Sequence, residues 1–455
     1  MEGTVFRAPE TARLVAMVDD RPAEKVFRVD RSIYTDPEAF EAEIKNIFEG
    51  SWIFACHESQ VAKPGDYFAL DVGRQPVVIW RQPDGAIKGF INACSHRAAI
   101  LMPYKQGNAK TITCRFHGWT YGADGGKCLR VKGEDTGYDG SFDRSHYDMK
   151  QVPRIGTYRG FVFVSLSADV PALEDFLGAT KAWIDLMADQ STEGLEVVPG
   201  APSYTIGGNW KMQAENGVDG YHVSTVHRVF AATMSARQSR DNRSGMAQTE
   251  AGRIVSNVPT ASYDLGNGHM AIRALHTTPE VRPIWERRDE LKARLPAGKV
   301  DWILNHGRNL MLFPNVLLMD NPSTQIRVMK PVAPDRTEVT VYCVAPKSES
   351  KQARFARLRK FEDFYLTAGM ATSDDIAALE DTYAGSHARY ARWNEMVRGW
   401  DQTVKGADEE AKKAGFEPVT SNPNWDHEIL FHGFYRHWAK LIGRTNGTNG
   451  KTNGA

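Results

Sequence analysis

Cys94-Ser-His96 and Cys114-Arg-Phe-His117 are the two stretches around which this 455-residue chain is organised. Each stretch supplies one cysteine and one histidine, and the 17 residues 97–113 lie between them. A zinc finger usually takes both cysteines from one turn and both histidines from a helix, so the order here is different. The quartet predicts a metal centre held between two short loops, each of which contributes one thiolate and one imidazole.

A mixed cysteine and histidine set is typical of a Rieske-type [2Fe–2S] cluster, in which two thiolates hold one iron and two imidazoles hold the other. Because neutral imidazoles replace two anionic thiolates, the reduction potential of such a cluster is higher than that of an all-cysteine cluster. Gly118 permits a sharp turn directly after His117. We therefore expect two facing hairpin tips with the histidines at their outer edge. The alternative is a structural zinc site with the same ligands.

Composition is that of a globular protein with a large core, since 42% of the residues are hydrophobic and 25% are charged. Lysine plus arginine and aspartate plus glutamate both total 56, so no basic surplus indicates nucleic acid binding. We find no apolar run of membrane-spanning length and no secretory signal. Five sparse cysteines fit metal ligation in a reducing compartment. These features predict a cytoplasmic protein that binds neither membranes nor nucleic acids.

The remaining patterns predict an α+β architecture, in which an antiparallel β domain is inserted in a larger mixed domain. The larger domain is expected to have a central antiparallel sheet covered by helices. The expected divisions are an N-terminal arm and helix over 1–40, the β domain over 41–165, the mixed catalytic domain over 166–443 and a disordered tail over 444–455.

Local signals support this division. Asp36, which precedes a proline, predicts a helix start, and Asp84-Gly85 predicts a hairpin turn. A helix is expected to begin near Asn209, and residues 349–400 are expected to form a long helical stretch.

A second group of potential metal ligands follows Asn209. Glu215, Asp219 and His222 are spaced four and three residues apart, so they would share one face of the predicted helix. His227 lies five residues further on, where that helix is expected to loosen or end. Packing without a metal is the alternative for two such histidines, but acidic neighbours at helical spacing favour a functional site.

Two imidazoles need one carboxylate to form the facial triad that holds Fe(II) and leaves positions open for oxygen and substrate. The carboxylate is expected from Asp374 or Asp375 on a later helix. Because adjacent helical residues point about 100° apart, only one of the two would face the iron. A cluster that donates single electrons and an iron site with open positions are together typical of a redox enzyme.

With both groups in view, the chain resembles the large (α) subunit of Rieske non-haem iron aromatic-ring-hydroxylating dioxygenases, and most of all the benzoate, toluate and anthranilate group. The matching patterns are Cys94-x-His96-x17-Cys114-x2-His117 and Glu215-x3-Asp219-x2-His222-x4-His227. The resemblance implies that the cluster ligands are Cys94, His96, Cys114 and His117, and that the mononuclear Fe(II) ligands are His222, His227 and Asp375.

The resemblance further implies that Asp219 bridges an iron-ligand histidine of its own subunit and a cluster histidine of the neighbouring one. Asn216 would lie close to the iron, and Met212 would line the substrate pocket. The chain would be the terminal oxygenase component that uses O₂ to cis-dihydroxylate an aromatic ring, with an aromatic carboxylate similar to benzoate as its substrate.

The partners that the resemblance implies are a separate NADH-dependent reductase, acting directly or through a ferredoxin, and a small β subunit. The assembly would be a homotrimer or α₃β₃. Gly217-Val-Asp-Gly220 lacks the spacing of a dinucleotide-binding fingerprint, which fits a separate reductase. A carboxylate substrate needs a cationic partner, for which Arg308 and Arg327 are candidates; surface ion pairs are the alternative for both.

Three other functions stay open at this stage. A Rieske monooxygenase or demethylase would use the same metal sites on a different substrate. A Rieske electron carrier would leave the second group of ligands unexplained. A zinc-binding module without enzymatic activity is the third alternative.

Overall fold

The computed structural model describes residues 8–240, 258–321, 323–367 and 369–444. The predicted disordered tail lies outside the described residues from position 445 onward, and so do residues 1–7 of the N-terminal arm. Within the described ranges the helices are α1 (Ala8–Val15), α2 (Pro37–Glu43), α3 (Glu134–Gly137), α4 (Leu173–Leu177), α5 (Thr180–Ala188), α6 (Trp210–Asn216), α7 (Val223–Val226), α8 (Arg228–Arg240), α9 (Arg288–Arg294), α10 (Ala297–Asn305), α11 (Lys351–Tyr365), α12 (Thr372–Gly385), α13 (Glu409–Ala414) and α14 (Leu430–Ile442).

The strands are β1 (Val18–Arg21), β2 (Val26–Asp30), β3 (Ile53–His57), β4 (Asp66–Val72), β5 (Gln75–Arg81), β6 (Ile87–Ile91), β7 (Gln106–Asn108), β8 (Thr111–Thr113), β9 (Thr120–Gly122), β10 (Cys128–Arg130), β11 (Arg154–Tyr158), β12 (Phe161–Ser165), β13 (Leu195–Val197), β14 (Ser203–Ile206), β15 (Thr260–Gly266), β16 (His269–Leu275), β17 (His306–Leu312), β18 (Val316–Asp320), β19 (Thr324–Ala333), β20 (Arg336–Pro346), β21 (Trp393–Glu395), β22 (Val404–Lys405) and β23 (Thr420–Asn422).

The largest sheet has ten strands in the order β13-β20-β19-β18-β17-β16-β15-β23-β22, and β14 also pairs with β20. Its strands pair antiparallel throughout. Helix α14 lies against β15 and β16, α11 against β19 and β20, and α6 against β19. The predicted α+β class with a central antiparallel sheet is therefore confirmed. Among the described helices, none is long and apolar enough to cross a membrane.

The loops with the cysteines and histidines belong to a separate set of small sheets. Their strand orders are β6-β5-β4-β7, β10-β9-β8 and β11-β12-β3. The first two of these sheets and the two loops share a core of their own, which includes Trp80, Phe90 and Tyr121, whereas the buried residues of β3 and β12 belong to the main core. The predicted hairpin between β5 and β6 is confirmed, because Gly85 adopts a φ of +87° and its amide donates to the carbonyl of Gln82 at 3.0 Å.

Two helix predictions have different outcomes. The side chain of Asp36 accepts from the amides of Glu38 and Ala39, so the predicted start of α2 is confirmed. The prediction of one long helical stretch over 349–400 is wrong beyond α12, and before that the stretch is divided into two helices, α11 and α12. Strand β21 pairs with β2 from the N-terminal region, so a long-range pairing overrides the local helical pattern there.

A buried ion pair fixes α6 against two other helices. The Nζ of Lys211 lies 2.5 Å from Oε1 of Glu43, and both side chains are inaccessible to solvent. The indole nitrogens of Trp210 and Trp438 donate to the same carboxylate at 2.8 and 2.7 Å. Helices α2, α6 and α14 therefore meet at one carboxylate, whose partners occupy both of its oxygens.

Glu43→Gln is expected to lower the free energy of unfolding by about 3–5 kcal/mol, because the ammonium of Lys211 would stay buried without a carboxylate. Urea unfolding of the holoprotein measures the change. Glu41→Gln is the matched control, since the exposed pair between Glu41 and Arg74 should contribute at most about 1 kcal/mol. Equal losses in the two variants would contradict the role of the buried pair.

Candidate metal centres

Two loops with the same backbone hydrogen bonds carry the first group of ligands. In loops 94–99 and 114–119 the cysteine amide donates to the carbonyl five residues on, and the amide four residues on donates back to the cysteine carbonyl, at 2.7–3.0 Å. The fourth residue after each cysteine has a positive φ, 59° at Ala98 and 75° at Gly118. The sharp turn predicted at Gly118 is present. The equivalent turn at Ala98 carries no sequence signal, because alanine rarely adopts this conformation.

The cysteines of these loops face the interior and the histidines lie at the tips. Cys94 and Cys114 are only 4% and 2% exposed, whereas His96 and His117 are partly exposed. The two imidazole rings approach edge to face, with 4.6 Å between their centroids. The loops thus bring together all four side chains of the predicted quartet, with an imidazole edge toward the surface.

Aromatic neighbours hold this arrangement in place. The ring of Trp119 stacks on His96 with centroids 4.8 Å apart, and the Tyr121 hydroxyl lies 3.2 Å from Sγ of Cys94. The Nδ1 of His96 is buried and has no hydrogen-bond partner among the described residues. The two buried cysteines form no disulfide, and one imidazole nitrogen lacks a hydrogen-bond partner. These groups fit the donor set of a cluster with thiolate and imidazole ligands.

The other three cysteines, Cys56, Cys128 and Cys343, are also buried and unpaired. Burial raises the pKa of the Cys128 and Cys343 thiols to about 11, and it raises that of Cys56 as well. These thiols stay protonated at neutral pH and so are poor metal ligands.

The second group of ligands lies where α6 ends. The prediction of one helical face shared by Glu215, Asp219 and His222 is wrong, because α6 stops at Asn216 and the next helical turn begins only at Val223. Two close approaches of glycine lie within the break. A Cβ on Gly217 would lie 2.4 Å from the side chain of Leu317, and one on Gly220 would lie 2.3 Å from the ring of Trp425. The end of α6 therefore presses directly against strand β18 and the C-terminal segment.

The break brings His222 and His227 to one carboxylate. Oδ1 of Asp375 lies 3.4 Å from Nε2 of His222 and 3.3 Å from Nε2 of His227. In the described ranges these three residues form a group whose potential ligand atoms all lie within 4.8 Å of one another. Asp374 is not in the group. Two imidazoles and a carboxylate at this separation fit the facial triad of an Fe(II) site.

Burial and the neighbouring carboxylates act in opposite directions on the imidazoles. Burial lowers the pKa of His222, but Asp219 and Asp375 outweigh it and raise that pKa to about 10. At His227 burial prevails and the pKa is lowered. Burial raises the pKa of Asp375, but the hydrogen bond with His222 and the nearby positive charges hold it below its ordinary value. The Asp375 carboxylate therefore keeps its negative charge and needs a cation beside it, either an imidazolium or a metal ion.

The predicted residues around the triad take distinct positions. Nδ2 of Asn216 lies 3.2 Å from Oδ1 of Asp375, so this amide is next to the ligand atoms. Oδ2 of Asp219 lies 3.2 Å from Nδ1 of His222, on the side of the ring away from Asp375. Met212 is buried on α6, one turn before Asn216. Asp219 is thus in contact with a triad histidine while its side chain is still 28% exposed.

Glu215 faces away from the triad. Its Oε1 accepts hydrogen bonds from the hydroxyls of Tyr34, at 2.9 Å, and Tyr435, and these two hydroxyls lie 2.8 Å apart. Burial raises the pKa of Glu215 to about 7 although both hydroxyls oppose the shift. This contact has no local sequence signal, because the three residues lie far apart along the chain.

Both regions of the chain are similar to known proteins. Residues 195–444 match the family model described as "Ring hydroxylating alpha subunit (catalytic domain)", and residues 51–152 match the model described as "Rieske [2Fe-2S] domain". The chain is 42% identical over 430 residues to the 2-halobenzoate 1,2-dioxygenase large subunit of Burkholderia cepacia, an alignment that covers 93% of this chain and 91% of that one.

A second relative is the toluate 1,2-dioxygenase subunit alpha of Pseudomonas putida, which is 42% identical over 440 residues, covering 94% of this chain and 93% of the relative. Among solved structures, naphthalene 1,2-dioxygenase with indole bound in the active site superposes with a TM-score of 0.79 at 26% identity. That superposition covers 92% of this chain and 93% of the other.

The Glu215 contact predicts a pH effect on stability. In the folded chain the pKa of Glu215 rises from an ordinary value of 4.5 to about 7. The folded state therefore binds a proton more tightly than the unfolded state, so this stabilisation is full below pH 4.5 and is lost as the pH rises through 7. The loss should be on the order of 3 kcal/mol.

Glu215→Gln keeps a partner for both hydroxyls and cannot ionise. Its urea midpoint should consequently fall less than that of the unsubstituted protein between pH 5 and pH 8. Parallel pH profiles for the two proteins would show that the carboxyl of Glu215 does not titrate in this range.

Proposed function

The chain belongs to the family of ring-hydroxylating dioxygenase α subunits, and we propose that it is the terminal oxygenase that cis-dihydroxylates an aromatic carboxylate. Membership confirms the family that the sequence motifs indicated, and with it a Rieske [2Fe–2S] cluster and a mononuclear iron as cofactors. The observation that carries the proposal is the group His222, His227 and Asp375, in a chain that also has the cysteine and histidine loops.

The proposed ligands follow from the two sets of side chains. Cys94, His96, Cys114 and His117 would hold the [2Fe–2S] cluster. His222, His227 and Asp375 would hold the iron, with Asp375 preferred over Asp374 because only Asp375 reaches both imidazoles. When bound, the iron supplies the place where O₂ is activated beside the arene, and the cluster supplies one of the two electrons.

The proposed reaction balances with NADH as the ultimate donor. One arene, one O₂, one NADH and one proton give one cis-dihydrodiol and NAD⁺. Two C–O bonds form on adjacent ring carbons, the O–O bond breaks, and one ring double bond becomes single. An aromatic carboxylate is the proposed substrate class because the relatives named for 2-halobenzoate and toluate are 42% identical over almost the whole chain.

The residues next to the triad have positioning roles in this proposal. Asp219 would fix the orientation of His222 through its contact with Nδ1 and would carry the connection to the cluster of a neighbouring subunit. Asn216 would hold its amide nitrogen beside the triad, next to His222 and Asp375, and so restrict how substrate and water approach.

Charge and exposure support head-to-tail assembly. The tip with the cluster ligands carries the exposed cations Arg97, Arg115 and Lys132, together with Phe116, which is 58% exposed. Around Asp219 carboxylates outnumber cations, since Asp426 and Glu428 interact electrostatically with it and with one arginine, Arg398. Opposite charges on the two surfaces would orient the tip of one subunit toward the triad of the next.

We include in the proposal the partners expected for such α subunits. These are a reductase that delivers electrons from NADH, with or without a ferredoxin, and a small β subunit in an α₃β₃ assembly; a homotrimer of this chain is the simpler form. The family match over residues 195–444 leaves no support for an electron carrier or a zinc module. A cytoplasmic location fits five unpaired cysteines.

Oxygen labelling tests the reaction. Holoprotein supplied with its reductase, NADH, benzoate and ¹⁸O₂ should give a dihydrodiol in which both new oxygen atoms are labelled. One labelled atom per product molecule would identify a monooxygenase, the alternative that uses the same metal sites. If protein with both metal centres loaded converts neither benzoate nor neutral arenes, the proposed function is contradicted.

Replacement of the carboxylate tests the ligand assignment. Asp375→Asn should lower the iron content from about three to about two atoms per chain, because the cluster is retained while the facial triad loses its anion. Turnover should fall more than about 100-fold. Asp374→Asn is the matched control and should keep all of its iron. The visible absorption of the cluster verifies in both variants that the loops are intact, and retention of iron by Asp375→Asn would overturn the assignment.

A further inference from the structure

We propose that Arg327 binds the carboxylate of the aromatic substrate and thereby determines which ring carbons face the triad. The inference rests on the proposed function, since it names the group that recognises the proposed substrate class. The sequence left Arg308 and Arg327 as candidates for binding a substrate carboxylate, and the structure shows that their surroundings differ.

Arg308 already has an anionic partner. It forms an ion pair with Asp320, and the same carboxylate lies 3.0 Å from the guanidinium of Arg282. All three side chains are buried. The Nε and Nη1 of Arg308 have no hydrogen-bond partner among the described residues, but the charge of its guanidinium is already compensated by that carboxylate.

Arg327 is buried without an anion. It is only 2% exposed, and no carboxylate of the described residues lies within ion-pair distance of it. Its Nε has no hydrogen-bond partner in the described ranges, and its Nη1 reaches only the amide oxygen of Gln213, at 3.5 Å. Burial of a cation is unfavourable unless an anion and good hydrogen bonds compensate it. A ligand carboxylate supplies both.

The position of Arg327 places its guanidinium next to the triad. In the sheet Arg327 lies opposite Leu317, and Leu317 touches the end of α6 at Gly217. From Arg327 a chain of hydrogen bonds runs to the triad. The guanidinium donates to Gln213, Gln213 donates to Asn216 at 3.1 Å, and Asn216 donates to Asp375 at 3.2 Å.

Two side chains, Gln213 and Asn216, separate Arg327 from Asp375 in this chain of hydrogen bonds. A carboxylate bound to Arg327 would anchor the aromatic ring close to the triad, with the carbon that bears the carboxylate and its neighbour held in a fixed position. Because a guanidinium is a planar fork, it would hold the carboxylate through two parallel hydrogen bonds.

Tyr365 fixes the plane of that fork. The ring of Tyr365 lies under the guanidinium, with 5.6 Å between its centroid and Cζ of Arg327. Its hydroxyl donates to the backbone carbonyl of Asn321, so the ring is held in place. Stacking of this kind leaves the N–H edge of the guanidinium free for an anion.

The test compares benzoate with benzamide, which has nearly the same shape and no charge. Calorimetric titration of the oxidised holoprotein measures binding of each probe without turnover. For Arg327→Gln the Kd for benzoate should rise between about 10- and 150-fold, the loss expected for a charge-assisted hydrogen bond. The Kd for benzamide should change less than about threefold, and Arg327→Lys should recover part of the affinity for benzoate.

Arg336→Gln is the matched control, because Arg336 is an exposed arginine at the start of β20, the strand that pairs with β19, and both Kd values should be unchanged. Cluster absorption and iron content verify each variant.

The outcomes separate this inference from the function on which it rests. Equal losses of benzoate and benzamide affinity in Arg327→Gln, or no loss for either, would overturn the role of Arg327 while ring dihydroxylation by the unsubstituted protein stands. If the unsubstituted holoprotein dihydroxylates neutral arenes and does not bind benzoate, the carboxylate site is refuted and the dioxygenase is not. Failure to oxidise any arene refutes both.

Discussion

The catalytic half of this chain has to accommodate the buried carboxylate of Asp375. Two imidazole nitrogens lie within 3.4 Å of one of its oxygens. A carboxylate in such a position is unfavourable unless cations or hydrogen bonds surround it. The structure meets that requirement with elements far apart in sequence: α12 carries the carboxylate, and the broken segment after α6 carries both imidazoles. The ion pair between Glu43 and Lys211 holds α6 in place from the opposite side.

The two metal centres differ in how they are exposed, and the difference fits their proposed tasks. The cluster ligands lie in a small β unit with its own core, and their histidines reach an exposed tip. The triad is more buried, with His227 and Asp375 only 3% and 7% exposed. An electron donor needs an accessible edge, whereas a site that handles O₂ and an arene needs to exclude water. Asp219 contacts His222 of the triad and is itself partly exposed. It can therefore connect the buried triad with the surface at which a cluster would dock.

Much of this could be predicted from the sequence, because the metal ligands occur in short motifs. Cysteine and histidine spacing identified both loops, and the N-cap at Asp36 and the turn at Gly85 have local causes. What escaped prediction depends on contacts between distant segments. Gly217, directly after Asn216, lies close to Leu317 on β18, and Arg308 pairs with Asp320 on a neighbouring strand. Neither partner can be recognised from local spacing.

Mixed assemblies test most directly whether the cluster of one subunit serves the triad of another. His117→Ala removes a proposed cluster ligand and Asp375→Asn removes a proposed iron ligand, so assemblies of either variant alone should be inactive. Co-expression places an intact cluster beside an intact triad in neighbouring subunits. Assemblies that contain both variants should therefore regain benzoate dihydroxylation. Mixed assemblies as inactive as their parents would show that electrons pass within one chain, and would contradict transfer between subunits.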